Sequence, residues 1–276
     1  MAFENIAPYI ISPVTRRAAI RPWLRALAER VANYPMISVL LSVLSFAFLG
    51  PVAAVVVVAT MLDHEFAHWY MMRKLGYSPG PVRLLPVIGA YVRAGRPMLR
   101  SADIALVYLA GPVAGILSAE SVAFLASKAL SVGLEQQVFV GAAVAIGLNL
   151  FNLLPYEPLD GGLISRALPY PAILVFPLAL AGWLQHAGML ETRGGLVTFA
   201  VASLVAVHRV GRWRRYAAGL RRRMDLGDAT GLQEWQASFN VPMAIRLLVA
   251  SVYGLTLVGG AAMFVNVAKM AYWTLS

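Results

Sequence analysis

MLDHEFAHWY, residues Met61 to Tyr70, is the stretch on which the reading of the whole chain turns. It places His64, Glu65 and His68 in the order H-E-x-x-H. On a helix, positions i and i+4 share one face, so both imidazoles reach the same point. Two neutral imidazoles so placed can share a divalent metal such as Zn²⁺. Glu65 stands beside them, where a carboxylate can take a proton from a water on that metal. The preceding residues, AAVVVVATML (Ala53 to Leu62), are apolar. Ionisable groups in such a run are costly unless they face a protein interior or a water-filled cavity. Asp63 points away from the His64–His68 face, so local hydrogen bonding is expected of it rather than ligation.

Working outward, apolar residues make up 59% of the chain and charged residues 13%. Soluble domains are about 45–50% apolar and about 25% charged. The expected class is therefore an all-α polytopic membrane protein. There is no Cys, which excludes disulfides and thiolate ligands. Any metal site must then use His, Asp or Glu. The net charge of +10 does not point to nucleic acid. The basic residues lie between apolar runs, where membrane topology accounts for them. No secretory signal peptide is evident in the first residues.

Residues 1–35 form a basic leader with Arg16, Arg17, Arg21, Arg25 and Arg30, read as a surface amphipathic helix or a loose cytoplasmic segment. The core is expected over 36–208, with its catalytic part over about 52–163. Its first apolar run, Met36 to Leu49, is short for a crossing, and Gly50-Pro51 reads as a turn. The second, Val52 to Leu75, carries H-E-x-x-H near its far end. Breakers crowd Gly76 to Arg100, leaving two strand-like pieces, Val82 to Leu85 and Ala90 to Arg93. They can pair as a hairpin beside the metal helix, or form a plain loop. Further spans are expected at Ala102 to about Leu130, Val138 to Leu154, Ala172 to Leu190 and Leu196 to His208. A basic cytoplasmic loop follows over 209–240, rich in Arg from Arg209 to Arg223, and a last span lies within 241–276. AGPVAG, Ala110 to Gly115, sets Gly111 and Gly115 four apart, a spacing that lets membrane helices pack closely.

Six to seven spans fit one alternating path. With the N-terminus in the cytoplasm, 20 of the 23 Lys and Arg fall on that side. The same path brings the H-E-x-x-H end and the end of FNLLPYEPLDGG, Phe151 to Gly162, to one depth. Asp160 sits there on a turn marked by Pro155, Pro158, Gly161 and Gly162. Alone it reads as a capping Asp. Beside the His pair it is a candidate third zinc ligand, leaving the fourth position to water.

H-E-x-x-H on one apolar helix, with N-x-x-P-x-x-P-L-D-G-G ending another, resembles the site-2 protease family of intramembrane zinc metalloproteases. His64, Glu65 and His68 match its first motif and Asp160 the Asp of its second. Asn152 matches the Asn that the family is thought to use near the substrate carbonyl. Leu84 to Val92 resembles the re-entrant hairpin that follows the catalytic helix. The sequence departs from the pattern at Gly89-Ala90, where relatives often have two Gly, and at Tyr156-Glu157, which replaces a small or apolar pair. No stretch is long enough for an added PDZ or CBS domain, so a minimal form is expected.

The resemblance implies one Zn²⁺ held by His64, His68 and Asp160, with Glu65 as base and Asn152 beside the oxyanion. It also implies hydrolysis of a peptide bond in or near the membrane helix of a protein substrate, from an active site open to the cytoplasmic side. The partners are then that substrate and the bilayer. The rival readings are an inactive scaffold of the same fold and an ion-coupled transporter. The absence of paired broken helices speaks against the transporter.

Overall fold

In a computed structural model, the structure describes residues 35–85, 89–95, 98, 100–155, 159–165, 167–168, 181, 185 and 193–273. The leader and the expected span Ala172 to Leu190 lie largely or wholly outside them. The described chain is mostly helical. Its elements are α1 (Pro35–Ser45), a 3₁₀ turn (Ala47–Leu49), α2 (Pro51–Lys74), β1 (Arg83–Leu85), β2 (Gly89–Tyr91), α3 (Ser101–Ala129), α4 (Val132–Asn152), α5 (Asp160–Ile164), α6 (Arg193–Asp225), α7 (Ala229–Phe239) and α8 (Met243–Trp273). They fall into two compact units. One draws on Met1–Pro97, Val107–Leu153 and Val252–Ser276, the other on Met98–Leu106 and Leu154–Ser251.

The sequence sets the ends of α2. Gly50 takes a φ of +101°, open to glycine, and Pro51 occupies the first turn, where its missing N–H costs nothing. The Val52 N–H donates to Gln137 Oε1 of α4 at 3.2 Å. At the other end Gly76, at φ +81°, stops the helix. The Tyr77 N–H reaches the Met72 carbonyl and the Gly76 N–H that of Arg73, the paired bonds of a Schellman cap. Arg73 and Lys74 complement the dipole of the last turn. They lie over the rings of Trp69 and Tyr70, at 5.1 and 5.9 Å from the ring centres.

In the first unit α2 and α4 run parallel and in constant register. Val52 meets Gln137 and His64 meets Asn149, and both links join residues 85 apart in sequence. The twelve residues between the links span about 18 Å on each helix. The descending α3 returns between them. His68 meets Val107, and Asp63 accepts a hydrogen bond from the Ser118 hydroxyl at 2.5 Å, a bond between helices where a local one was expected. The C-terminal part of α8 runs antiparallel along α4. Its Gly260 lies against Leu150, and the Tyr253 hydroxyl donates to the Leu153 carbonyl at 2.5 Å. That carbonyl belongs to the end of α4, where helix carbonyls lack intrahelical donors.

Among the described residues, four helices are long and apolar enough to cross a membrane: Pro51–Lys74, Ser101–Ala129, Val132–Asn152 and Met243–Tyr272. Two expected spans differ from the reading above. The Met36 run gives only the 11-residue α1, because the chain turns at 46–50. Leu196 to His208 lies inside the 33-residue α6, whose apolar part meets Arg209 and Arg212 before reaching spanning length. The stretch Arg209 to Asp225, read as loop, continues this helix, because Arg, Ala and Leu are strong helix formers.

The two strand-like pieces do pair. β1 and β2 are antiparallel, with Arg83 opposite Tyr91, Leu84 opposite Ala90 and Leu85 opposite Gly89. β2 packs on α2 and β1 on α1. The Ser38 hydroxyl of α1 donates to the Leu84 carbonyl. α1 turns Ser38 and Ser42 inward and Met36, Leu40 and Leu44 outward, the reverse of a soluble helix.

Candidate metal centre

His64, Glu65 and His68 present ligand atoms that all lie within 4.8 Å of one another. The helical spacing achieves this, and burial follows from α3 and α4 packing over that face of α2. His64 is 6% exposed, His68 3% and Glu65 9%. The two rings stand edge to face, centres 4.6 Å apart.

The ring nitrogens are sorted by their partners. His68 Nδ1 lies 2.7 Å from the Val107 carbonyl oxygen, which can only accept, so Nδ1 carries the hydrogen. Pro112 has no N–H to return to the Tyr108 carbonyl, which interrupts the α3 ladder in the turn beside Val107. His64 Nδ1 lies 2.7 Å from Asn149 Oδ1. The Asn149 amide is oriented by its Nδ2, which donates to the Ala145 carbonyl at 2.9 Å. Its oxygen therefore faces His64, and that Nδ1 also donates. Both Nε2 atoms are left with lone pairs, and they stand 2.9 Å apart. Two lone pairs that close repel unless a cation lies between them. The gap is under twice the zinc–imidazole bond length of about 2.0–2.1 Å, so a single ion can reach both. Imidazoles anchored through Nδ1, with Nε2 turned to the ion, are the usual arrangement of metal ligands.

Glycine lets α3 approach the pair. A Cβ on Gly111 of α3 would lie 2.4 Å from His68 Nε2 and 2.8 Å from His64 Nε2. A Cβ on Gly115 would lie 2.4 Å from Asn149 Oδ1. The donor set thus fits a metal, and zinc suits an imidazole and carboxylate set.

No protein-family model matches the chain. Over 125 residues it is 34% identical to proteins of Mycobacterium tuberculosis, strains Erdman and H37Rv, named "Putative zinc metalloprotease Rip3". The match takes in 43% of this chain and 31% of each relative. Over that stretch the chain is similar to proteins named as zinc metalloproteases. It spans about a third of the length of these curated relatives.

Of the residues matched to the family's motifs, His64, Glu65 and His68 form the metal-capable group among the described residues. Asn152 is the last residue of α4, half-buried, one turn beyond Asn149. Asp160 opens α5 in the second unit and is buried. Asn149, the Val107 carbonyl and the close packing of Gly111 and Gly115 on the site were not legible as site features. The glycine spacing did promise a close approach. What approaches is a pair of imidazoles and an amide.

Proposed function

We propose that this chain is a zinc-dependent metalloendopeptidase that cuts a peptide bond within or near the transmembrane helix of a membrane-bound substrate. The observation that carries the reading is the pair of anchored imidazoles, their Nε2 atoms 2.9 Å apart, beside Glu65 in an apolar bundle. The relatives' name supports the same chemistry.

His64 and His68 hold the ion, and Asp160 is proposed as the third ligand on its motif match. Zinc, when bound, supplies a Lewis acid and brings a water's pKa to about 7. Glu65 takes the proton of the attacking water and returns it to the leaving amine. The Asn152 amide donates toward the oxyanion that forms on the substrate carbonyl. The site lies close to the end of α2 marked by Trp69, Tyr70, Arg73 and Lys74, residue types that favour a membrane interface. With the N-terminus in the cytoplasm, that end faces the cytoplasm and gives water its route. The hairpin is proposed as re-entrant, and its strands offer an edge to an unwound substrate.

The test uses the full chain in lipid nanodiscs, with zinc content and cleavage of a transmembrane peptide measured together. Wild type should hold about one zinc and cleave. Glu65→Gln should hold zinc and lose at least ~100-fold in rate, the low end for a general base. Cleavage by Glu65→Gln at the wild-type rate removes the mechanism; wild type without zinc removes the whole reading.

A further inference from the structure

The motif residues leave a question open: what keeps the His64 ring turned so that Nε2, and not Nδ1, faces the ion? A free imidazole exists as two tautomers, and only one presents a lone pair there. His68 is fixed by a backbone carbonyl, which no side-chain change removes. His64 has instead a side chain from another helix, at a position that neither family motif includes.

Three observations meet on Asn149. Its Oδ1 is 2.7 Å from His64 Nδ1. Its Nδ2 is held 2.9 Å from the Ala145 carbonyl one turn back, which prevents the amide from flipping to present a donor to the ring. It is 5% exposed, and its space is kept open by Gly115, where a Cβ would fall 2.4 Å from Oδ1 and 2.6 Å from Nδ2. A buried amide in an apolar helix costs free energy unless its donors and acceptors are used, and here both are. The link to Gln137 at the start of α2 holds the two helices in the register that this contact needs.

We propose that Asn149 is a positioning residue: by accepting from His64 Nδ1 it fixes the tautomer and ring angle that present Nε2, and so sets the affinity of the site for zinc. The inference rests on the metalloprotease reading above. Partners of this kind contribute about 10–100-fold in metal affinity. Gly115 belongs to the same device, since it lets the amide sit where it does. The Gly111–Gly115 pair then packs on two adjacent components of one centre, the imidazole pair and the amide that orients one of its rings.

The experiment measures zinc affinity by chelator competition on the full chain in nanodiscs, for wild type, Asn149→Leu, Asn149→Asp and Gly115→Ala. Leu keeps the branching at Cγ and the number of heavy atoms and removes the acceptor; zinc should bind about 10–100-fold more weakly. Asp keeps an acceptor toward Nδ1 and loses only the bond to Ala145, so it should hold zinc within a few-fold of wild type. Gly115→Ala leaves Asn149 in the sequence but displaces its amide, so it should follow Leu. Wild-type affinity in Asn149→Leu overturns the proposal. So does equal loss in Leu and Asp, which would make Asn149 a packing residue. Wild type that binds no zinc is a separate failure, because it sinks the metalloprotease reading itself.

Discussion

Gly111→Ala tests the close approach of α3 to the imidazole pair with a single methyl group. The added Cβ would stand 2.4 Å from both Cε1 and Nε2 of His68 and 2.8 Å from His64 Nε2. Ordinary contact needs about 3.4 Å or more, so about 1 Å must be found by moving the rings or by pushing α3 away from α2. The rings are tied through Nδ1 to Val107 and Asn149, which makes their movement costly. Overpacking of this kind costs about 1–3 kcal/mol of stability. A 1 Å displacement at a catalytic centre can cost about 100-fold in rate. The assay reads zinc content, thermal midpoint and cleavage in nanodiscs. Gly111→Ala should lose zinc and at least ~100-fold in rate. Gly254→Ala in α8 is the control. Nothing lies within 4 Å of its Cβ, so that variant should keep both and gain a few tenths to about 1 kcal/mol. If Gly111→Ala retains one zinc and the wild-type rate, the metal site does not depend on that approach.

Three more outcomes are expected. Asp160→Ala should lower zinc affinity by at least the 10–100-fold seen for a supporting partner, because it removes a ligand; unchanged affinity by chelator competition would return Asp160 to a capping role. Tyr253→Phe should destabilise by about 1 kcal/mol, the net value of one hydrogen bond, and lower the thermal midpoint by a few degrees, with zinc content unchanged. A substrate helix with Gly, Pro or Asn near the cut should be cleaved faster than one with Leu or Ala there, because a helical peptide bond is shielded until it unwinds; equal rates would remove the unwinding step.

The sequence made His64, Glu65 and His68 visible because one helical turn carries all three, and local spacing needs no tertiary knowledge. The hairpin was legible for a similar reason: breakers bounded two short apolar pieces. Asn149 was not legible. An amide in an apolar helix has no local mark of its partner, and His64 lies 85 residues away. The α6 segment was misread because charge counting treats a run of Arg as a loop between spans. Helix propensity depends on the residues' backbone preferences and is indifferent to that use. The first apolar run was correctly noted as short. The 3₁₀ turn that ends it comes from the approach to Gly50, which hydropathy does not register.

The paired links between α2 and α4 behave as a ruler. One inserted residue between Val52 and His64 would turn the imidazole by about 100° and advance it by 1.5 Å, away from its amide. The same insertion placed between Gln137 and Asn149 would carry the amide off instead. Neither helix can change length alone over that interval without parting His64 from Asn149. Variation in length among functional descendants of this chain should therefore fall outside these two intervals, which stay equal.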